Sequence, residues 1–137
     1  MSERLTAAEL AAREEAIKRE KGRQTEERFD QAMRSIGHRA PAWFYGIRAA
    51  SRQEDNSGTD RYAILDIGEV PLQIKSSAGG RAAYRMKRPT SPCLILVILS
   101  EFTPRQIQIV TIRELRRHRE ALTLPAWKQR ILYPSKE

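Results

Sequence analysis

An α/β fold, with a mixed sheet of four to five strands flanked by helices, is what this sequence predicts. Three observations point there. Two short apolar runs, Tyr62-Ala63-Ile64-Leu65-Asp66-Ile67 and Val70-Pro71-Leu72-Gln73-Ile74-Lys75-Ser76-Ser77, flank a Gly68-Glu69 turn and read as a β-hairpin. Cys93-Leu94-Ile95-Leu96-Val97-Ile98-Leu99 is apolar on both faces, as a strand covered on both sides must be. Residues 2–20 are rich in Ala, Glu and Arg and contain no Gly or Pro, which favours a helix.

The remaining elements follow in order. Ser2 is a candidate cap, and Thr6-Ala7-Ala8-Glu9 fits a capping box for the first helix. Its apolar stripe is thin: Leu5, Ala8, Ala12, Ala16 and Ile17. This arm, residues 1–21, either packs on the body, pairs with a second copy in a homo-oligomer, or frays. The main domain is then residues 22–137. Gly22 is expected to break the helix, and Thr25 to cap a second one running to about Ile36, with Phe29, Ala32, Met33 and Ile36 on one face. Glu26 falls on that core-facing side, and Glu27 points elsewhere. A first-turn pair of solvated acids is the plainer alternative.

Trp43 to Ala49 reads as a strand, and Ser51 to Thr59 as a polar loop carrying Glu54 and Asp55, which either lies across a site or touches DNA, or is a plain connector. Ser76 to Arg88 is a basic segment opened by Gly79-Gly80. It either approaches phosphate or is a flexible connection into a helix. Gln106 to Thr111 alternates apolar and polar residues and predicts a half-exposed strand. Thr111-Ile112-Arg113-Glu114 then opens a helix ended by Pro125, and Ala126 to Glu137 is a tail with Trp127 and Ile131-Leu132 partly docked.

Composition narrows the function. At 137 residues the chain fits one domain. No apolar run reaches membrane-span length, and no signal-peptide segment opens the sequence, so no membrane partner is expected. A single cysteine, Cys93, makes no intrachain disulfide and suits a cytoplasmic location, where it is expected to be a small buried hydrophobe. His38 and His118 are far apart and read as surface residues. The charge is uneven: residues 76–137 hold twelve Lys or Arg against four acids, an excess equal to the whole chain's net charge of +8. With a sequence pI near 10.1, nucleic acid is the expected macromolecular partner. Arg81, Arg85, Lys87 and Arg88 form one candidate phosphate-contacting set, and Arg113, Arg116 and Arg117 another. A solvated basic face is the plain alternative for each.

The chemistry is carried by Asp60 and the second hairpin strand. Val70, Leu72 and Ile74 point one way, so Gln73 and Lys75 share the opposite face. An acid before a hairpin, then an oxygen donor-x-Lys at its end, suits a metal-dependent phosphodiesterase: oxygens hold a hard cation, and the lysine sits by the phosphate and the attacking water.

This layout resembles the PD-(D/E)xK nuclease superfamily, the fold of many restriction enzymes and of Holliday-junction resolvases. Lys21-Gly22-Arg23-Gln24-Thr25-Glu26 is similar to the first helix of the resolvase-like members, in which a Glu after a Lys-Gly pair joins the metal site. The resemblance covers about residues 21–100 and implies a restriction-endonuclease-like sheet and a DNA endonuclease activity, acting on branched or recombination substrates. By resemblance, Glu26 (with Glu27 as fallback), Asp60, Gln73 and the Ile74 carbonyl hold Mg²⁺ or Mn²⁺, and Lys75 stabilises charge on the phosphate or orients the water. Gln73 departs from the usual Glu or Asp. The departure weakens the metal cage unless Asp66 or Glu69 compensates. The alternative is a nuclease-like fold that binds nucleic acid, or joins a DNA-processing complex, without cutting.

Overall fold

The computed structural model describes residues 4–56, 58–89 and 92–123. In chain order these form helix α1 (Ala7–Arg34), a short 3-10 turn (Gly37–Arg39), strand β1 (Phe44–Ala49), helix α2 (Arg52–Asn56), strands β2 (Arg61–Leu65) and β3 (Gly68–Lys75), helix α3 (Ala78–Lys87), strand β4 (Leu94–Val97) and helix α4 (Pro104–Thr123). The four strands make one mixed sheet in the order β1-β2-β3-β4. The first two pairings are antiparallel and β3–β4 is parallel. A parallel neighbour cannot be reached by a tight turn, and α3 supplies the crossover.

The hairpin forms as expected because alternation of two places Ala63 and Leu65 of β2, and Val70, Leu72 and Ile74 of β3, on one face. The helices α1 and α4 cover that face. Phe29, Ala32 and Met33 of α1 and Ile107, Ile112 and Leu115 of α4 join these strand residues, Leu96 and Ile98 in one core. The opposite face lies under α3, whose Tyr84 is buried and donates its hydroxyl to the Gly58 carbonyl at 2.9 Å. No described helix is long and apolar enough to cross a membrane.

Two expectations are corrected. Gly22 does not break the first helix: α1 runs unbroken for 28 residues. A mid-helix glycine costs about 1 kcal/mol relative to Ala. Strong helix formers on both sides offset it, and Arg23 bridges Glu20 and Glu27 across the glycine's own turn. Thr25, expected as a cap, turns its hydroxyl back to the Lys21 carbonyl at 2.8 Å. Residues 4–21 are exposed throughout.

The second correction concerns Gln106–Thr111, which is helix and not strand. Ile107, Thr111 and Leu115 recur every four residues and are all buried, so the same letters that alternate also satisfy a helical face. Thr103 and Gln106 form a reciprocal capping box: the Thr103 N–H donates to Gln106 Oε1 at 2.7 Å, and the Gln106 N–H donates to Thr103 Oγ1 at 3.2 Å. Pro104 occupies the first helical position, where its missing N–H costs nothing. Thr103→Ala is expected to destabilise the fold by about 1 kcal/mol, read as a lower urea midpoint with unchanged slope.

Smaller differences follow the same logic. The loop from Ser51 contains α2, started by a Ser51–Glu54 capping box. The basic segment after Ser77 is the helix α3, capped by the Ser77 hydroxyl on the Gly80 N–H. Cys93 is half-buried beside the Thr59 hydroxyl rather than fully enclosed. His118 is also half-buried, and desolvation pushes its pKa down. The tail Ala126–Glu137, with Trp127, lies outside the described residues, as does Ser2.

Candidate active site

Asp60 stands one residue before β2, where three strand ends meet. Its N–H donates to the Leu72 carbonyl at 2.9 Å, and its carbonyl accepts from the Ala50 N–H at 3.1 Å. Its side chain completes the β3 ladder, with Oδ2 accepting from the Ile74 N–H at 3.0 Å. Asp60 is therefore held by backbone through its N–H, its carbonyl and one carboxylate oxygen, a rigid placement for a candidate ligand-binding acid. Its other oxygen takes no hydrogen bond from a described residue.

Glu26 approaches from α1. One turn on, Asp30 forms a forked pair with Arg61, at 3.0 Å to Nε and 2.9 Å to Nη2. The same guanidinium reaches Glu26 Oε1 at 3.4 Å. Glu27, the fallback, is exposed and tied to Arg23, so the structure favours Glu26 as the inward acid. Burial pushes the Glu26 carboxyl above its ordinary pKa, and the nearby charge of Asp60 adds to it, against a lowering by Arg61. Burial also raises Asp60, opposed by the Ile74 N–H and by the Lys75 and Arg61 charges. Asp60 is thus within electrostatic reach of both Glu26 and Lys75. Asp55 of α2 raises both carboxyls and is a third acid of this neighbourhood.

Lys75 ends β3. Its carbonyl accepts from the Ile98 N–H at 2.8 Å, and its ammonium lies 5.1 Å from the centre of the Tyr84 ring. Two residues earlier on the same face, Gln73 is 7% exposed, and its buried Oε1 takes no hydrogen bond from a described residue. An unmade bond at a buried polar atom costs about 1–3 kcal/mol, so an amide oxygen left this way is a candidate donor to a ligand. Gln73, expected on a polar outer face, is buried because α3 covers that side of β3.

The donor chemistry fits a hard divalent cation. The candidate donors are two carboxylates, an amide oxygen and the Ile74 carbonyl, all oxygen. Among the described residues no three His, Cys, Asp or Glu side chains group to hold a metal ion. The suggested compensation for Gln73 is also corrected. Asp66 is bound to Arg119 at 2.7 Å, and Glu69 to Arg48 at 2.7 Å, both at the turn end of the hairpin. Asp55 is the acid near enough to matter.

Comparison with protein-family models, with curated proteins and with solved structures finds no match. The functional reading therefore rests on this geometry.

Arg61 and Asp30 are the residues of the candidate site that sequence reasoning missed, and Asp55 was placed only on a loop that could lie across it. Arg61 meets Asp30 and Glu26 across 31 and 35 residues, a tertiary pairing with no local signal. Asp55 had one, since the Ser51-x-x-Glu54 box marks a helix that fixes the acid after it. The expected phosphate contacts are not one patch. Arg81, Arg85 and Lys87 are exposed on α3, and Arg88 follows its end. Arg113, Arg116 and Arg117 are exposed on α4. Arg81 and Arg117 share a cleft with Leu94 and His118, whereas Arg113 and Arg116 line a different groove.

Proposed function

We propose that this protein is a metal-dependent endonuclease of restriction-endonuclease-like fold that hydrolyses DNA phosphodiester bonds. The observation that carries the reading is Asp60, fixed by the Ile74 N–H and set within the fields of both Glu26 and Lys75. Glu26, Asp60, the Gln73 Oε1 and the Ile74 carbonyl would hold Mg²⁺ or Mn²⁺, which when bound makes hydroxide available near neutral pH and polarises a phosphoryl oxygen. Lys75 places a positive charge beside the phosphate as negative charge develops there. The burial that raises Glu26 and Asp60 makes a cation at this point welcome, because it relieves crowded, desolvated carboxylates.

The test is cleavage of supercoiled plasmid and branched DNA with Mg²⁺, with Mn²⁺ and with EDTA. Lys75→Ala is expected to lower the rate by about 10²–10³-fold, the scale of losing one preorganised electrostatic group. Equal cleavage by wild type and variant would overturn the assignment of Lys75. Gln73→Glu is expected to tighten Mg²⁺ binding in calorimetry, since a carboxylate is the better ligand for a hard cation. No change with this variant would place residue 73 outside the metal site.

A second reading has its own support. Arg61 already lies against Glu26 and Asp30 and supplies, without a metal, part of the positive charge the acids require. In that reading the fold binds nucleic acid without cutting it, and wild type cleaves neither substrate under any of the three conditions.

A further inference from the structure

The 3-10 turn Gly37–Arg39 and the outer face of α4 enclose a groove of about 320 Å³, lined among others by Arg39, Arg105, Gln108, Ile109, Arg113 and Arg116. On α4 the residues at 105, 109, 113 and 116 recur at helical spacing, so they form one stripe. Among the described residues no carboxylate lines the groove. Among the described residues Arg39, Arg105 and Arg116 make no ion pair, although Arg23, Arg48, Arg61 and Arg119 all do. Arg113 meets only its neighbour Glu114, at 3.4 Å. Gln108 forms the floor and is 3% exposed. It donates to the Ala32 carbonyl at 2.8 Å and accepts from Arg39 Nη1 at 3.5 Å, which braces one guanidinium against the fold. Ile109 is 50% exposed between the arginines.

Four guanidiniums around one groove repel one another until an anion joins them. Arg105 and Arg116 are separated by about 16 Å of helix, too long for one phosphate group and suited to a chain of them. Guanidinium pairs with phosphate oxygens through two parallel bonds, which a planar fork does better than an ammonium. We propose that this groove is a second phosphodiester-binding site, which grips a nucleic-acid backbone at a distance from the Asp60 cluster and takes no part in the chemistry. α1 ends at Arg34, eight residues and about 12 Å of helix past Glu26, and Ile36 at the groove follows two residues later. At 3.4 Å per nucleotide step this is about four steps of the same strand. That the bound strand is also the one cut rests on the proposed nuclease activity; the groove itself does not.

The experiment is anisotropy of a labelled duplex against salt concentration in EDTA, with wild type, the triple variant Arg39→Ala/Arg105→Ala/Arg116→Ala, and the same three positions changed to Lys. The triple Ala variant is expected to reduce the salt slope by about two to three units, with affinity at low salt down on the order of 10–100-fold. The Lys variant retains most of the slope. Circular dichroism identical to wild type accompanies these results. An unchanged slope in the triple Ala variant, or equal loss in the Ala and Lys variants, overturns the proposal. So does displacement of the duplex by an acidic peptide at lower concentration than by unlabelled DNA, which assigns the groove to a protein partner. If wild type cuts no DNA but the slope still falls, the nuclease reading fails and the groove stands. Cleavage with an unchanged slope gives the reverse.

Discussion

Asp60→Asn is expected to abolish divalent-metal binding and cleavage while raising the melting temperature of the metal-free protein at neutral pH. The two effects share one cause. Asp60 and Glu26 titrate above their ordinary values of 3.8 and 4.5, chiefly because burial disfavours their charged forms. A carboxyl with a raised pKa binds its proton more tightly folded than unfolded. Its contribution to stability therefore falls as pH climbs from the ordinary value through the folded one, and stays low above that. Asn at position 60 keeps an acceptor for the Ile74 N–H and removes the charge. The melting temperature of the variant minus that of wild type, in EDTA, should grow from pH 4 to neutrality. The difference isolates this group from Glu20, Glu54, Asp66 and Glu69, whose lowered pKa values act in the opposite sense, being lost as pH falls. Mg²⁺ should stabilise wild type at neutral pH and leave the variant unmoved. A variant no more stable than wild type at any pH would mean that Asp60 carries no desolvation penalty for a cation to relieve.

Arg61→Ala is expected to be the most damaging single change at the site. Arg61 is 18% exposed as a side chain, against 25% for Asp30 and 31% for Glu26. Breaking a fully buried pair costs about 3–5 kcal/mol because the surviving charge is stranded. Partial solvent access reduces that here to about 1–3 kcal/mol. The chemical midpoint in EDTA should fall accordingly. Mg²⁺ should restore more stability to the variant than it gives to wild type, since Arg61 and a cation both act on Glu26. If Mg²⁺ rescues nothing, Arg61 is a structural clamp unconnected with metal.

What the sequence revealed of the fold divides along the reach of its signals. The hairpin was legible because Val70, Leu72 and Ile74 alternate strictly and glycine opens the second strand at Gly68, with φ of 125°. The strand at Leu94–Val97 was legible from an apolar run too short for a helix. Gln106–Thr111 was misread because a segment alternating every two residues also satisfied every four, and Thr103-Pro104 upstream decided between them. Within the candidate site, the approach of Lys75 to Asp60 was legible because hairpin geometry fixes their separation. Arg61's partners were not, since α1 and β2 are far apart in sequence and meet through tertiary packing, with Phe29 and Ala63 in the same core.

The continuity of α1 has a consequence for anyone who would shorten this chain. A cut at residue 21 looks like the removal of a dispensable extension, because residues 4–21 are exposed. It would instead leave Gly22 as a ragged new beginning, with unsatisfied amides over the following turn. Glu26 sits at that turn. Trimming the arm would loosen the scaffold of the acid it was meant to spare, and a truncated protein that bound metal poorly would reveal fraying rather than a function of the arm.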